Sequence, residues 1–97
     1  MPVYIKTEQI KKEYLIQNEL RNKIINDHIN WVKKLIKKGI DIKSGFLVDQ
    51  FKKPGAGGLL IIETKNYQDA LEIIKNDPMI KNNIVEWKLN EWVDINQ

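Results

Sequence analysis

Apolar residues recur along this chain in two rhythms, and the changes of rhythm mark its elements. From Asn18, a suitable N-cap, Leu20, Ile24, His28, Trp31 and Leu35 follow at steps of four, four, three and four, with Ile25, Ile29, Val32 and Ile36 beside them. That spacing predicts an amphipathic helix. Lys37 and Lys38 suit the negative end of its dipole, and Gly39 supplies a left-handed stop. Before it, Pro2 to Lys6 predicts a short strand carrying Val3 and Ile5, whereas Thr7 to Gln17 has no clear period. After it, Ile40, Ile42, Ser44, Phe46 and Val48 alternate as a second strand, with Gly45 expected at a bulge or a close backbone approach and Asp49 at the strand's end. Lys52 to Gly57 reads as a flexible hairpin loop, and Leu59 to Ile62 as a strand apolar on both faces. Asn66 is expected to cap a second helix bearing Tyr67, Ala70, Leu71 and Ile74 on one side, ending near Asn76. Asp77-Pro78 opens a turn and Asn82-Asn83 a loop, and Val85, Trp87, Leu89 and Val93 alternate as a final strand.

The order βαββαβ, with right-handed crossovers, puts both helices on one face of a four-stranded antiparallel sheet, an α+β, ferredoxin-like arrangement. The other face is left bare. Leu59 to Ile62 must send apolar side chains to it, and Ile40/Ile42 and Trp87/Leu89 are candidates to join them. An apolar patch of that kind is unusual on a monomer. A sheet-to-sheet homodimer, with larger homo-oligomers open, is the expected cover.

Composition adds pressure in the same direction. A single domain of 97 residues buries only about 60 to 65 % of the surface its unfolded chain exposes. With no cysteine there is no disulfide, and with His28 as the one histidine a structural metal is not expected. The longest apolar run, Leu59 to Ile62, falls far short of the roughly 20 residues that span a bilayer. Met1 to Lys6 has no signal-peptide character, so a cytoplasmic protein without membrane partners is expected. The net charge of +3 comes from lysines interleaved with acids and from one arginine, Arg21, which reads as a solvated surface.

Five segments carry a resemblance. Asp27-His28-Ile29-Asn30-Trp31-Val32-Lys33-Lys34-Leu35, Ser44-Gly45-Phe46-Leu47-Val48-Asp49, Pro54-Gly55-Ala56-Gly57-Gly58-Leu59-Leu60-Ile61, Asn76-Asp77-Pro78-Met79-Ile80, and Val85-Glu86-Trp87 with Glu91-Trp92 follow one another as do the motifs of the YCII-related (YciI-like) proteins. The chain resembles that family from about Val3 to Val93. The resemblance implies a ferredoxin-like fold, a dimeric α/β barrel assembly, and a pocket where a histidine and an aspartate act together in acid/base chemistry, roles that fall here on His28 and Asp77. Ala56 interrupts a loop usually richer in glycine, and Asn82-Asn83 stands where glycine is common, although asparagine tolerates the left-handed conformation.

Each site residue also has a plainer reading. A lone histidine on the apolar side of a helix is most often a satisfied core residue, yet imidazole alone titrates near neutrality and so both takes and returns a proton. Asp77 before Pro78 is a good helix start without any chemistry, and one carboxylate oxygen suffices for capping. Ser44, Gly45, Gly57 and Gly58 are the candidate substrate contacts. No nucleophile elbow surrounds Ser44, and the glycine loop precedes a strand rather than a helix, so it lacks the anion site of a helix N-terminus. Trp31, Trp87 and Trp92 read as core or interface residues.

The leading expectation is a small enzyme of isomerase or lyase type that moves a proton on a small organic molecule through His28 and Asp77, with no cofactor. The alternative is a non-catalytic ligand-binding or interaction module. RNA binding is disfavoured, because Gly58-Leu59-Leu60-Ile61-Ile62 lacks the aromatics on which bases stack.

Overall fold

The computed structural model describes residues 1–96. Its elements are β1 (Val3–Ile10), α1 (Lys12–Leu15), α2 (Asn18–Lys37), β2 (Ile42–Val48), β3 (Pro54–Glu63), α3 (Tyr67–Ile74), α4 (Pro78–Lys81) and β4 (Val85–Trp92). The strands form one antiparallel sheet in the order β2-β3-β1-β4, the ferredoxin-like topology expected from the sequence. Asn66 caps α3, its side chain accepting from the Asp69 N–H at 2.8 Å. Gly39 adopts φ 89° and Asn83 φ 56°, so both take the left-handed conformations expected of them.

Other expectations need correction. The first strand runs on to Ile10, and Glu8, Gln9 and Ile10 pair with Trp87, Glu86 and Val85. Its apolar alternation is hidden because two of the residues on its buried face, Lys6 and Glu8, are charged. The segment Pro54–Gly58 is strand rather than loop. The turn is Asp49 to Lys53, where the Asp49 carboxylate accepts from the N–H groups of Phe51 and Lys53 and Lys52 takes φ 67°. The register shift in β2 lies between Phe46 and Val48, while Gly45 pairs regularly with Leu59 and has open space where a Cβ would sit. The N-cap of α2 is Gln17, with no side-chain bond; Asn18 is instead the first helical residue and accepts from Arg21. Arg21 also reaches the carbonyls of Tyr14 and Leu15, tying α1 to α2.

The register assigns the two faces. Tyr4, Lys6 and Glu8 lie opposite Ile62, Leu60 and Gly58 on the helix-covered side, with Ile42, Ser44 and Phe46 beyond them on β2 and Leu89 and Trp87 on β4. Ile42, Trp87 and Leu89 therefore face the helices, and Ile40, before β2, packs against the main core, so neither proposed pair enlarges the bare face. That face carries Val3, Ile5, Leu59 and Ile61, with Trp92 exposed at its rim.

Beneath the helices, Tyr4, Leu35, Ile42, Leu60, Ile62, Ala70, Ile74 and Leu89 form one apolar cluster, and Ile24, Met79, Ile84 and Val85 a second. Burying each of the larger aliphatic side chains contributes about 1.5–3 kcal/mol. Lys6 and Asp77 are the charged residues buried alongside these clusters, and they locate the site.

Candidate acid and base site

Three segments far apart in sequence converge. The helical period that buries Ile24 and Leu35 carries His28 on the same side of α2, leaving its side chain 12 % exposed. Asp77 is fully buried as the N-cap of α4, a four-residue helix made possible by Pro78 at its first turn. Ser44 projects from β2 toward the helices. His28 Nδ1 lies 2.8 Å from Asp77 Oδ1, and His28 Nε2 lies 2.7 Å from Ser44 Oγ. The structure thus brings together the three polar side chains that the sequence singled out.

Asp77 does more than cap. Its Oδ1 accepts from the Met79 N–H at 2.9 Å as well as facing His28, and its Oδ2 accepts from Lys6 Nζ at 2.6 Å. Lys6 also donates to Glu8. Burial alone pushes the Asp77 carboxyl up, but the His28 hydrogen bond and the Lys6 charge outweigh it and hold the group below its ordinary value. An ionised Asp77 offers only acceptors, so His28 Nδ1 carries the proton toward it. In the neutral ring Nε2 is then the acceptor, and the Ser44 hydroxyl donates to it. The result is a chain of contacts, Glu8, Lys6, Asp77, His28, Ser44, whose middle members Lys6 and Asp77 are the most buried and whose Ser44 end is open to solvent.

Sequence reasoning missed Lys6 and Glu8. A lysine in a strand reads as solvent-exposed, and only the two-residue spacing Tyr4, Lys6, Glu8 places all three on one face. Gly58 bears on the cluster through Glu8, because a Cβ there would sit 3.0 Å from Glu8 Cγ. Gly57 takes φ 95°, and a Cβ on it would run into the Glu8 carbonyl oxygen and the Gln9 side chain. Gly57 therefore serves close strand approach, and Gly45 faces the opposite side of the sheet from Ser44. Neither is brought to the cluster.

Two surface hollows, one lined by Met1, Thr64, Lys65, Asp69, Glu72 and Ile73 and one by Ile10, Lys11, Lys12, Glu13 and Glu86, lie apart from these residues. Among the described residues, no group of three or more His, Cys, Asp or Glu side chains is placed to hold a metal ion. No helix among them is long and apolar enough to cross a membrane.

The fold and this buried histidine–aspartate pair define a small ferredoxin-like protein with a polar centre between sheet and helices. The chain belongs to the YCII-related domain family, whose model matches residues 1–92. A similar solved structure is that of 5-chloro-2-hydroxyhydroquinone dehydrochlorinase from Burkholderia phenoliruptrix AC1100 in complex with 2,5-dihydroxybenzoquinone. The two share 17 % identity at a TM-score of 0.72, over 97 % of this chain and 96 % of that one, a likeness of fold. No curated protein matches the chain.

Proposed function

We propose that the chain is a small enzyme of isomerase or lyase type in which His28 removes and returns a proton on a small organic substrate, with Asp77 orienting the imidazole. The observation that carries this reading is the locked ring. A buried, ionised Asp77 holds Nδ1–H, so Nε2, the nitrogen that accepts from Ser44, is the one that takes a proton on the side open to solvent. Ser44 orients the substrate by its hydroxyl. Gly58 serves the site indirectly, by leaving the space that the Glu8 side chain fills. The dehydrochlorinase of similar fold supports an enzyme acting on small hydroxylated rings, and makes 2,5-dihydroxybenzoquinone a reasonable first probe.

The test follows hydrogen exchange at the ring carbon of 2,5-dihydroxybenzoquinone in D2O, by proton NMR, with wild type and His28→Ala. Exchange accelerated by the wild type and lost in the folded variant is the expected result. Equal acceleration by both would end the reading, and binding without exchange would favour a non-catalytic ligand-binding module.

We also propose that two copies pair through the bare sheet face. Val3, Ile5, Leu59 and Ile61 are neighbours on that face, on a chain whose size alone allows only about 60 to 65 % of its unfolded surface to be buried. Sedimentation equilibrium at micromolar concentration is expected to give twice the chain mass, and an 11.4 kDa species alone would refute pairing.

A further inference from the structure

Ser44 is the exposed end of the contact chain. Its Oγ and the Asp77 Oδ1 lie on opposite sides of one imidazole, at 2.7 and 2.8 Å. That is the order of nucleophile, base and orienting acid in which a serine hydroxyl gains reactivity. The sheet adds a second feature. Strand β2 is at the edge, and the Glu63 N–H donates to the Asp41 carbonyl across from it at 3.0 Å. Asp41, Lys43 and Gly45 therefore spend their backbone groups on β3, and the alternation turns the N–H groups of Ser44 and Phe46 toward the open edge. Their nitrogens, two residues apart on an extended strand, stand about 6.5 Å from each other, too far to share one oxygen, so the Ser44 N–H is the one backbone donor this edge offers an oxyanion formed at its own hydroxyl.

We propose that Ser44 is a nucleophile toward activated esters, giving the chain an acyl-transfer activity distinct from proton transfer on a substrate. Ser44 Oγ bonds to the ester carbonyl carbon while its proton passes to His28 Nε2 and the carbonyl π electrons move onto oxygen. Collapse re-forms the carbonyl, breaks the bond to the leaving alcohol, and returns the proton from Nε2 to that alcohol. Water then attacks the acyl-serine, gives a proton to Nε2, and releases the carboxylic acid as Ser44 recovers its own proton. Throughout, Lys6 holds Asp77 as an anion beside the imidazolium. The serine sits on an exposed edge strand, so the strand-to-helix elbow that presents other nucleophilic serines is not required for access.

The inference shares His28 and Asp77 with the reading above but predicts a covalent adduct, which that reading does not. The full chain is mixed with p-nitrophenyl acetate, and separately with a fluorophosphonate, and analysed by intact mass and peptide mapping beside Ser44→Ala and His28→Ala. Expected are one adduct on Ser44, its loss in Ser44→Ala, slowed labelling in His28→Ala, and p-nitrophenol release about 10²-fold above Ser44→Ala. Because Ser44 is exposed, its alanine variant has no buried packing to lose. Adducts confined to lysines, or release unchanged in Ser44→Ala, would overturn the proposal. A negative result here with hydrogen exchange intact removes the nucleophile alone, whereas an acylated Ser44 without exchange removes the proton-transfer reading alone.

Discussion

Lys6 and Asp77, 71 positions apart in the chain, meet side chain to side chain at 2.6 Å with both almost wholly buried. Taking two charges out of water costs several kcal/mol for each ion, and the pair recovers this only through close contact and further hydrogen bonds. Both conditions are met. Lys6 has Glu8 as a second acceptor, and Asp77 has the Met79 N–H and His28. The link fixes β1 to the start of α4 and, through it, to the histidine on α2.

Removing one partner should therefore cost far more than removing a surface charge. Lys6→Met leaves a buried carboxylate with its main counter-charge gone, and the expected loss is about 3–5 kcal/mol of unfolding free energy. That is a large share of the roughly 5–15 kcal/mol available to a domain. Urea denaturation followed by tryptophan fluorescence measures it, and a loss below about 1 kcal/mol would mean that the lysine is not buried against Asp77 in solution.

Acid should weaken the fold through the same residue. The folded Asp77 carboxyl titrates below its unfolded value near 3.9, so its contribution is complete above that value and is lost as pH falls through the lower folded one. Wild type should lose its stability advantage over Asp77→Asn progressively below about pH 4. Unfolding curves for the two proteins that stay equally separated from pH 7 down to pH 2.5 would contradict the ionised state assigned here.

Much of this fold is legible in the sequence, and what is not has one main physical cause. The period of α2, the two-faced strand at Leu59 to Ile62 and the Asn66 cap each follow from local chemistry that tertiary contacts only reinforce. Strand β1 is hidden beyond Lys6 because charged residues occupy buried positions, which is possible only when partners from distant segments arrive. The glycines before Leu59 look like a loop because nothing local records that Glu8 and Gln9 press against them. His28 and Asp77 are found through the family's motifs, whereas Lys6 lies in none of the segments that carry the resemblance. The face assigned to Ile42, Trp87 and Leu89 depends on register, which a two-residue period alone does not decide.

The two strand glycines should respond unequally to alanine. At Gly58 the added methyl meets Glu8 Cγ at 3.0 Å, a flexible side chain that shifts, so a small loss of stability and a displaced Glu8 are expected. At Gly57 the methyl meets a backbone carbonyl and the residue keeps φ 95°, so strain of about 1–3 kcal/mol is added. Thermal unfolding of the two variants should rank Gly57→Ala below Gly58→Ala, and the reverse order would show that the strand approach at Gly57 relaxes easily.

The tautomer of His28 offers the closest check on the site. With Asp77 ionised, Nδ1 must be the protonated nitrogen of the neutral ring, and the 15N shifts of the protein's one histidine report this directly. Ser44→Ala should leave the assignment unchanged, because Asp77 sets it. Asp77→Asn should disturb it, since the amide can turn its NH2 toward Nδ1 and drive the proton to Nε2, which then donates to Ser44 instead of accepting. Both the base and the activated serine are lost in that state, so proton exchange and acylation should each fall by about 10²-fold or more, measured at a temperature where circular dichroism shows Asp77→Asn still folded. A neutral ring protonated at Nε2 in the wild type would show instead that the pair is structural, with Asp77 serving chiefly to cap its helix.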